Sequence, residues 1–143
     1  MPSNHVRYDV MLPVFMMKSA SPASSLCFSN RSSDYFDVKV ETPNLKATKK
    51  VNIYDYGPTN GFVDFFQRLA SHKKPWTGEE IWEPLEGEMK LRATCDALGH
   101  VGFDITLKDG FNSNPSWSLD CFMSFDFGDL PRYLANAKEF SVQ

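Results

Sequence analysis

Three groups of residues in this chain carry side chains able to do chemistry. Cys95, Asp96 and His100 put a thiol, a carboxylate and an imidazole within one short stretch. The segment "PWTGEEIWEPLEGEMKL" sets Trp76 and Trp82 among Glu79, Glu80, Glu83, Glu86 and Glu88. A third group, Lys90, Arg92, Asp104, Thr106, Lys108 and Asp120 together with Phe122, falls on the polar positions of alternating runs. The first group reads as a nucleophile beside a base, but its alternation argues otherwise. Cys95 shares the apolar register of Leu91 and Ala93, whereas His100 falls on the polar one. A thiol among apolar groups has a raised pKa and is inert, a small core hydrophobe.

Metal and cofactor chemistry find no better footing. His5, His72 and His100 have no ligand spacing, and no two of Cys27, Cys95 and Cys121 sit close enough for a zinc knuckle. The sequence has no glycine-rich phosphate loop between a strand and a helix, and no serine in a nucleophile elbow. The expectation is a non-enzyme with no cofactor and no metal. The Trp/Glu segment has two readings. Clustered carboxylates serve acid–base work on a sugar if a cleft encloses them, or they face a basic partner. Equally, the two indoles wedge a loop against a helix while the glutamates stay solvated. The candidate partner-binding residues are therefore Trp76, Glu79, Glu80 and Glu83 from this segment, with Arg92, Asp104 and Phe122 from the polar strand face.

The elements that must position these residues follow from periodicity. "SSLCFSN" and "DYFDVKVET" read as strands, with Pro43 and Asn44 marking a bulge or edge before an extended "LKATKKVNIYDY". In "TNGFVDFFQRLASHKK", Phe62, Phe65, Phe66 and Leu69 line one face of a helix. Thr59 or Asn60 is expected to cap it, Lys73 and Lys74 to lie in its last turn, and Pro75 to stop it. Three alternating runs follow. Met89, Leu91, Ala93 and Cys95 face inward in the first, Val101, Phe103, Ile105 and Leu107 in the second, and Trp117, Leu119, Cys121, Met123 and Phe125 in the third. Consecutive half-buried strands make an antiparallel meander, which places Cys95 and Cys121 near each other on its apolar face. A last helix carries Leu130, Tyr133, Leu134 and Ala137, with Asp129 as N-cap. The resulting expectation is an α+β, two-layer domain: one antiparallel sheet of five or six strands with two amphipathic helices on one face.

At 143 residues, 42% hydrophobic and 14% aromatic, the chain is the size of one globular domain. Residues 1–23 read as an N-terminal arm, flexible or an edge strand, and residues 24–143 as the single domain, its folded body starting near Leu26. The apolar part of the arm, "VMLPVFMM", is short, contains a proline and follows Asp9, which does not suit a secretion signal. No apolar run is long enough for a membrane helix. A net charge of -3 gives no nucleic-acid footprint. Three cysteines without paired spacing suit a reducing compartment.

From Asn60 to Phe140 the chain resembles a bacterial family. Its pattern is a helix ending in Trp–x–Gly–Glu, then Trp–x–x–Leu–Glu–Gly–Glu–Leu–x–Leu, then Asp–Gly–x–Gly–His before a strand, and later a strand opened by Trp. Here those positions are Phe65, Phe66, Trp76, Gly78, Glu79, Trp82, Leu85, Glu86, Gly87, Glu88, Leu91, Gly99, His100 and Trp117. Lys73–Pro75 and Ala97–Leu98 depart from the pattern, which affects loop shape. The family is of uncharacterised type and similar to the immunity proteins of polymorphic, wall-associated-type toxin systems. The resemblance implies a cytoplasmic protein, a monomer or weak homodimer, that binds and neutralises a cognate toxin. The acidic segment would then steer a basic toxin. The alternative is a small-molecule or sugar-binding module, or a minor hydrolase, built on residues 76–88.

Overall fold

The computed structural model describes residues 13–19, 23–53, 61–110 and 116–141. Among the described residues the chain forms two antiparallel sheets of four strands each, not one sheet of five or six. The first is the meander β1 (Phe15–Ser19), β2 (Ser24–Ser29), β3 (Tyr35–Thr42) and β4 (Leu45–Asn52). The second is β5 (Glu80–Trp82), β6 (Met89–Cys95), β7 (His100–Lys108) and β8 (Ser118–Asp126). Helix α1 (Phe62–Ala70) links the sheets. A short 3-10 turn (Phe127–Asp129) leads into helix α2 (Leu130–Ser141).

The extra strands arise in three places. Pro43 and Asn44 form no bulge: they are the two-residue turn of a hairpin in which Thr42 pairs with Leu45. Proline pre-sets the first corner of such a turn, so the extended run after it doubles back as β4. Glu80–Trp82, inside the acidic segment, pairs with Ala93–Leu91 as β5. The chain also pairs well before Leu26, because Phe15–Ser19 lies along Phe28–Ser24 as β1.

Nor do the helices cover one face of one sheet; they fill the space between two. Phe62 of α1 packs at a steep angle against Phe28 and Phe36 of the first sheet at 5.1 Å and edge-to-face against Trp82 of the second at 5.3 Å. Phe65 meets Phe103, and Tyr133 of α2 meets both Phe15 and Phe125. Alternation tells which face of a strand is dry, not what dries it, so two meanders with one shared core look the same in sequence as one larger sheet. The buried residues of α1 are the expected stripe, Phe62, Phe65, Phe66 and Leu69. The helix ends at Ala70, before Lys73, Lys74 and Pro75, as the chain turns to bury Trp76. Gly61 precedes α1 with a φ of 101°, and the expected caps Thr59 and Asn60 lie outside the described residues. Among the described residues no helix is long and apolar enough to cross a membrane.

Two ties join the sheets. At one edge the Ser124 N–H donates to Ser19 Oγ at 3.4 Å, bringing β8 against β1. At the other, Glu88 is 4% exposed and accepts the Asn52 backbone N–H at 2.9 Å and its side-chain amide at 3.1 Å. Lys49 Nζ adds an ion pair at 3.2 Å. A buried carboxylate is tolerated only when its charge and lone pairs are met in this way.

Candidate functional site

The outer face of the second sheet gathers residues far apart in sequence into one transverse row. Ile81 pairs with Arg92, Arg92 with Asp104, and Asp104 with Phe122, one residue from each strand in register. The row is apolar at both ends, with Ile81 39% and Phe122 60% exposed. Its middle is an ion-pair relay. Arg92 Nε donates to Glu79 Oε2 at 2.6 Å, and its Nη1 donates to Asp104 Oδ2. The Glu79 hydrogen bond and charge, then Asp104, hold the Arg92 guanidinium above its ordinary pKa. In the next row Thr106 Oγ1 donates to Asp120 Oδ1 at 2.8 Å.

Of the seven candidates, the structure thus brings together Glu79, Arg92, Asp104 and Phe122. The other three lie apart. Trp76 is buried and stacks on His72 at 4.3 Å. Glu80 turns back to α1, meeting Arg68 Nη1 at 2.7 Å and His72 Nε2 at 2.9 Å. Burial pushes the Glu80 carboxyl up, but the hydrogen bonds from His72 and Arg68 outweigh it and hold the group below its usual range. Glu83 is exposed, with Gly87 beside its carboxylate. The glutamates of the segment therefore do not form one patch: three of the five point in different directions to different cations, Glu79 to Arg92, Glu80 to Arg68 and Glu88 to Lys49.

Neither indole faces a cleft among these carboxylates. Trp82 is 4% exposed against Phe36 and Phe62. The N–H groups of both indoles are buried without an acceptor among the described residues.

Asp96 and His100 do meet, but the pair shapes a turn. Asp96 Oδ1 accepts the N–H of Leu98 and of His100, each at 2.9 Å, and Oδ2 meets His100 Nδ1 at 2.9 Å. Cys95 is half-buried, not a core residue, because it ends its strand. Its thiol donates to the Asp96 carbonyl at 3.4 Å, and burial pushes its pKa up. Cys121 is likewise half-buried, as is Leu119: the buried part of the β8 register begins at Met123 and continues to Phe125. The two thiols are not close. Cys95 is level with Val101 and Phe125, whereas Cys121, four residues before Phe125, is level with Ile105.

Sequence reasoning missed Gly102. A Cβ there would stand 2.7 Å from the Phe122 ring, so the missing side chain is what seats the aromatic. The signal was a glycine inside an alternating strand, which marks close approach. Also missed was a depression of about 730 Å³ beside that ring, with Thr94, Gly102 and Ser124 among its lining residues and Lys18, Asp126 and Asp129 around it.

A family model matches residues 17–142. The chain belongs to DUF6228, a family of unknown function. The match spans both sheets and both helices of the fold, so family membership extends over the first meander as well as the stretch that carries the tryptophan motif. No curated protein and no solved structure matches the chain.

Proposed function

We propose that this DUF6228 member works by binding another protein, as an immunity-like factor that covers a cognate toxin in the bacterial cytoplasm. The observation that carries the binding reading is the outer-face row Ile81–Arg92–Asp104–Phe122. Exposed apolar ends around an arginine held by two carboxylates match the composition of interface centres, where aromatics and arginine are enriched. An arginine already fixed in place loses little freedom on docking. The toxin as partner is supported by the motif resemblance around Trp76–Leu91. The alternative of a sugar or small-molecule cleft on residues 76–88 is disfavoured by the inward packing of both indoles.

The test is co-expression with toxins encoded beside the gene, scored by rescue of growth and by a binding isotherm. A neutralising, tight-binding neighbour is the expected result. Arg92→Glu in this chain should then weaken binding by at least about ten-fold, the scale expected for an interface anchor. If no neighbouring toxin binds or is neutralised, the immunity reading is lost. The outer-face assignment is lost if a toxin binds and Arg92→Glu leaves its affinity unchanged.

A further inference from the structure

Among the described residues, Phe122 is the aromatic side chain most open to solvent. Its ring stands between two depressions. One, of about 730 Å³, also has Asp126 and Lys18 on its walls; the other, of about 340 Å³, has Asp120 and Asp104. The ring lies over the backbone of Gly102, with no room for a Cβ beneath it. Covering a strand glycine accounts for a bulky residue at this position. It does not account for the charges around the ring.

Those charges differ in how far they are met. Asp104 is taken by Arg92, Asp129 by Arg132, and Asp96 by His100 and its turn. Asp120 is met by a neutral hydroxyl, and among the described residues Asp126 has no ion pair. Asp120, Phe122 and Asp126 stand on the same outward register of β8. Among the described residues Lys18 is the one lysine or arginine lining the larger depression, against Asp96, Asp126 and Asp129, so the balance around the aromatic face remains acidic and complementary to a cation. A guanidinium suits it best, since it stacks flat on a ring and forks to a carboxylate.

Resting on the reading of this face as a protein-binding surface, we propose that Phe122, between Asp120 and Asp126, is the seat for an arginine side chain of the partner. The probe is N-acetyl-arginine amide, titrated into isotopically labelled protein and followed by amide shifts. Its neutral isostere, N-acetyl-citrulline amide, is the control. Saturable shifts confined to Gly102 and residues 120–126, produced by the arginine probe alone, are expected. Phe122→Leu keeps an apolar cover on Gly102 and should weaken the probe by about three-fold, the scale of an exposed cation–π contact, whereas Phe122→Tyr should retain it. Equal shifts from both probes, or arginine binding unchanged in Phe122→Leu, would overturn the proposal. A toxin that binds with the same affinity to the wild type and to Phe122→Leu would overturn it too, while leaving the binding function standing. Arginine-probe binding at this seat, with no neighbouring toxin bound, would uphold the seat and remove the toxin reading.

Discussion

The two sheets are built alike, as four-stranded antiparallel meanders, yet their outer faces differ. On the first sheet the ion pairs are long: Lys39 to Glu41 and Lys50 to Asp37 are each 3.9 Å, and Lys50 also rests over the Tyr35 ring. On the second, Arg92 is drawn close by two carboxylates, and Phe122 lies over Gly102 in the same row. Long exposed pairs of flexible side chains give up as much in lost rotamer freedom as they gain in attraction. The first face therefore reads as a solvated surface and the second as a prepared one. Alternation of charge along a strand does not separate the two. The distinction lies in which charges share a partner.

Substitutions at three positions break or sharpen that comparison. The largest effect belongs to the tie that makes the sheets one body. Glu88→Ala leaves the Asn52 amides without their acceptor in a buried place, and leaves Lys49 only its longer pair with Asp109 at 3.8 Å. It should lower the unfolding free energy by about 3 kcal/mol, the scale for removing one partner of a buried charged pair. Glu88→Gln, which keeps an acceptor, should lower it less. Urea denaturation measures both, and a loss under roughly 0.5 kcal/mol for Glu88→Ala would mean that the sheets are held by their shared core and the Ser19–Ser124 seam without this tie.

Next comes the tie between α1 and β5. The Glu80 carboxyl is held below its ordinary value in the folded state. Its contribution to stability is therefore full above that ordinary value and is lost as pH falls through the lowered one. Glu80→Gln should lower stability at neutral pH by about 1 kcal/mol, in keeping with charged hydrogen bonds that are partly exposed. The difference from wild type should narrow in acid. A gap of constant size from neutral pH to pH 3 would show that the carboxylate charge is not what matters. Glu80 is a structural side chain, and its reversal would set a lysine against Arg68.

The smallest effect is expected on the first sheet. Asp37→Asn removes the long pair with Lys50. Thermal unfolding should show a change under about 0.5 kcal/mol, as for most exposed pairs. A loss as large as that of Glu80→Gln would erase the contrast between the faces.

The sequence made the local parts of this fold legible. The helical stripe Phe62–Leu69 and the alternation from Met89 to Leu107 are sums of neighbouring side-chain preferences, and they appear in the structure as buried faces. What was not legible was pairing between distant segments. The apolar register of β8 predicted a core position for Cys121, but only the later part of that register, Met123 and Phe125, reaches the shared core. The Trp/Glu segment looked like one acidic surface because five glutamates are close in sequence. Strand alternation and a turn send Glu79, Glu80 and Glu88 to three different cations. On the wet face, Arg92, Asp104 and Phe122 were recognisable as polar-register residues, but only strand register could show that they line up with Ile81.

The seam between Ser19 and Ser124 bears on the order in which the molecule assembles. Its partners are separated by 105 residues, against 36 for the tie between Asn52 and Glu88. Closing the longer loop costs about 1 kcal/mol more in chain entropy by the logarithmic dependence on length. Each meander closes through short hairpins and can form early, whereas the seam waits for most of the chain. During synthesis the first meander leaves the ribosome with Phe15, Leu26, Phe28 and Phe36 on its dry face before the residues that cover them have been made. The lysines along β4, at positions 46, 49 and 50, then act as gatekeepers, keeping that early edge from joining the same edge of another nascent chain.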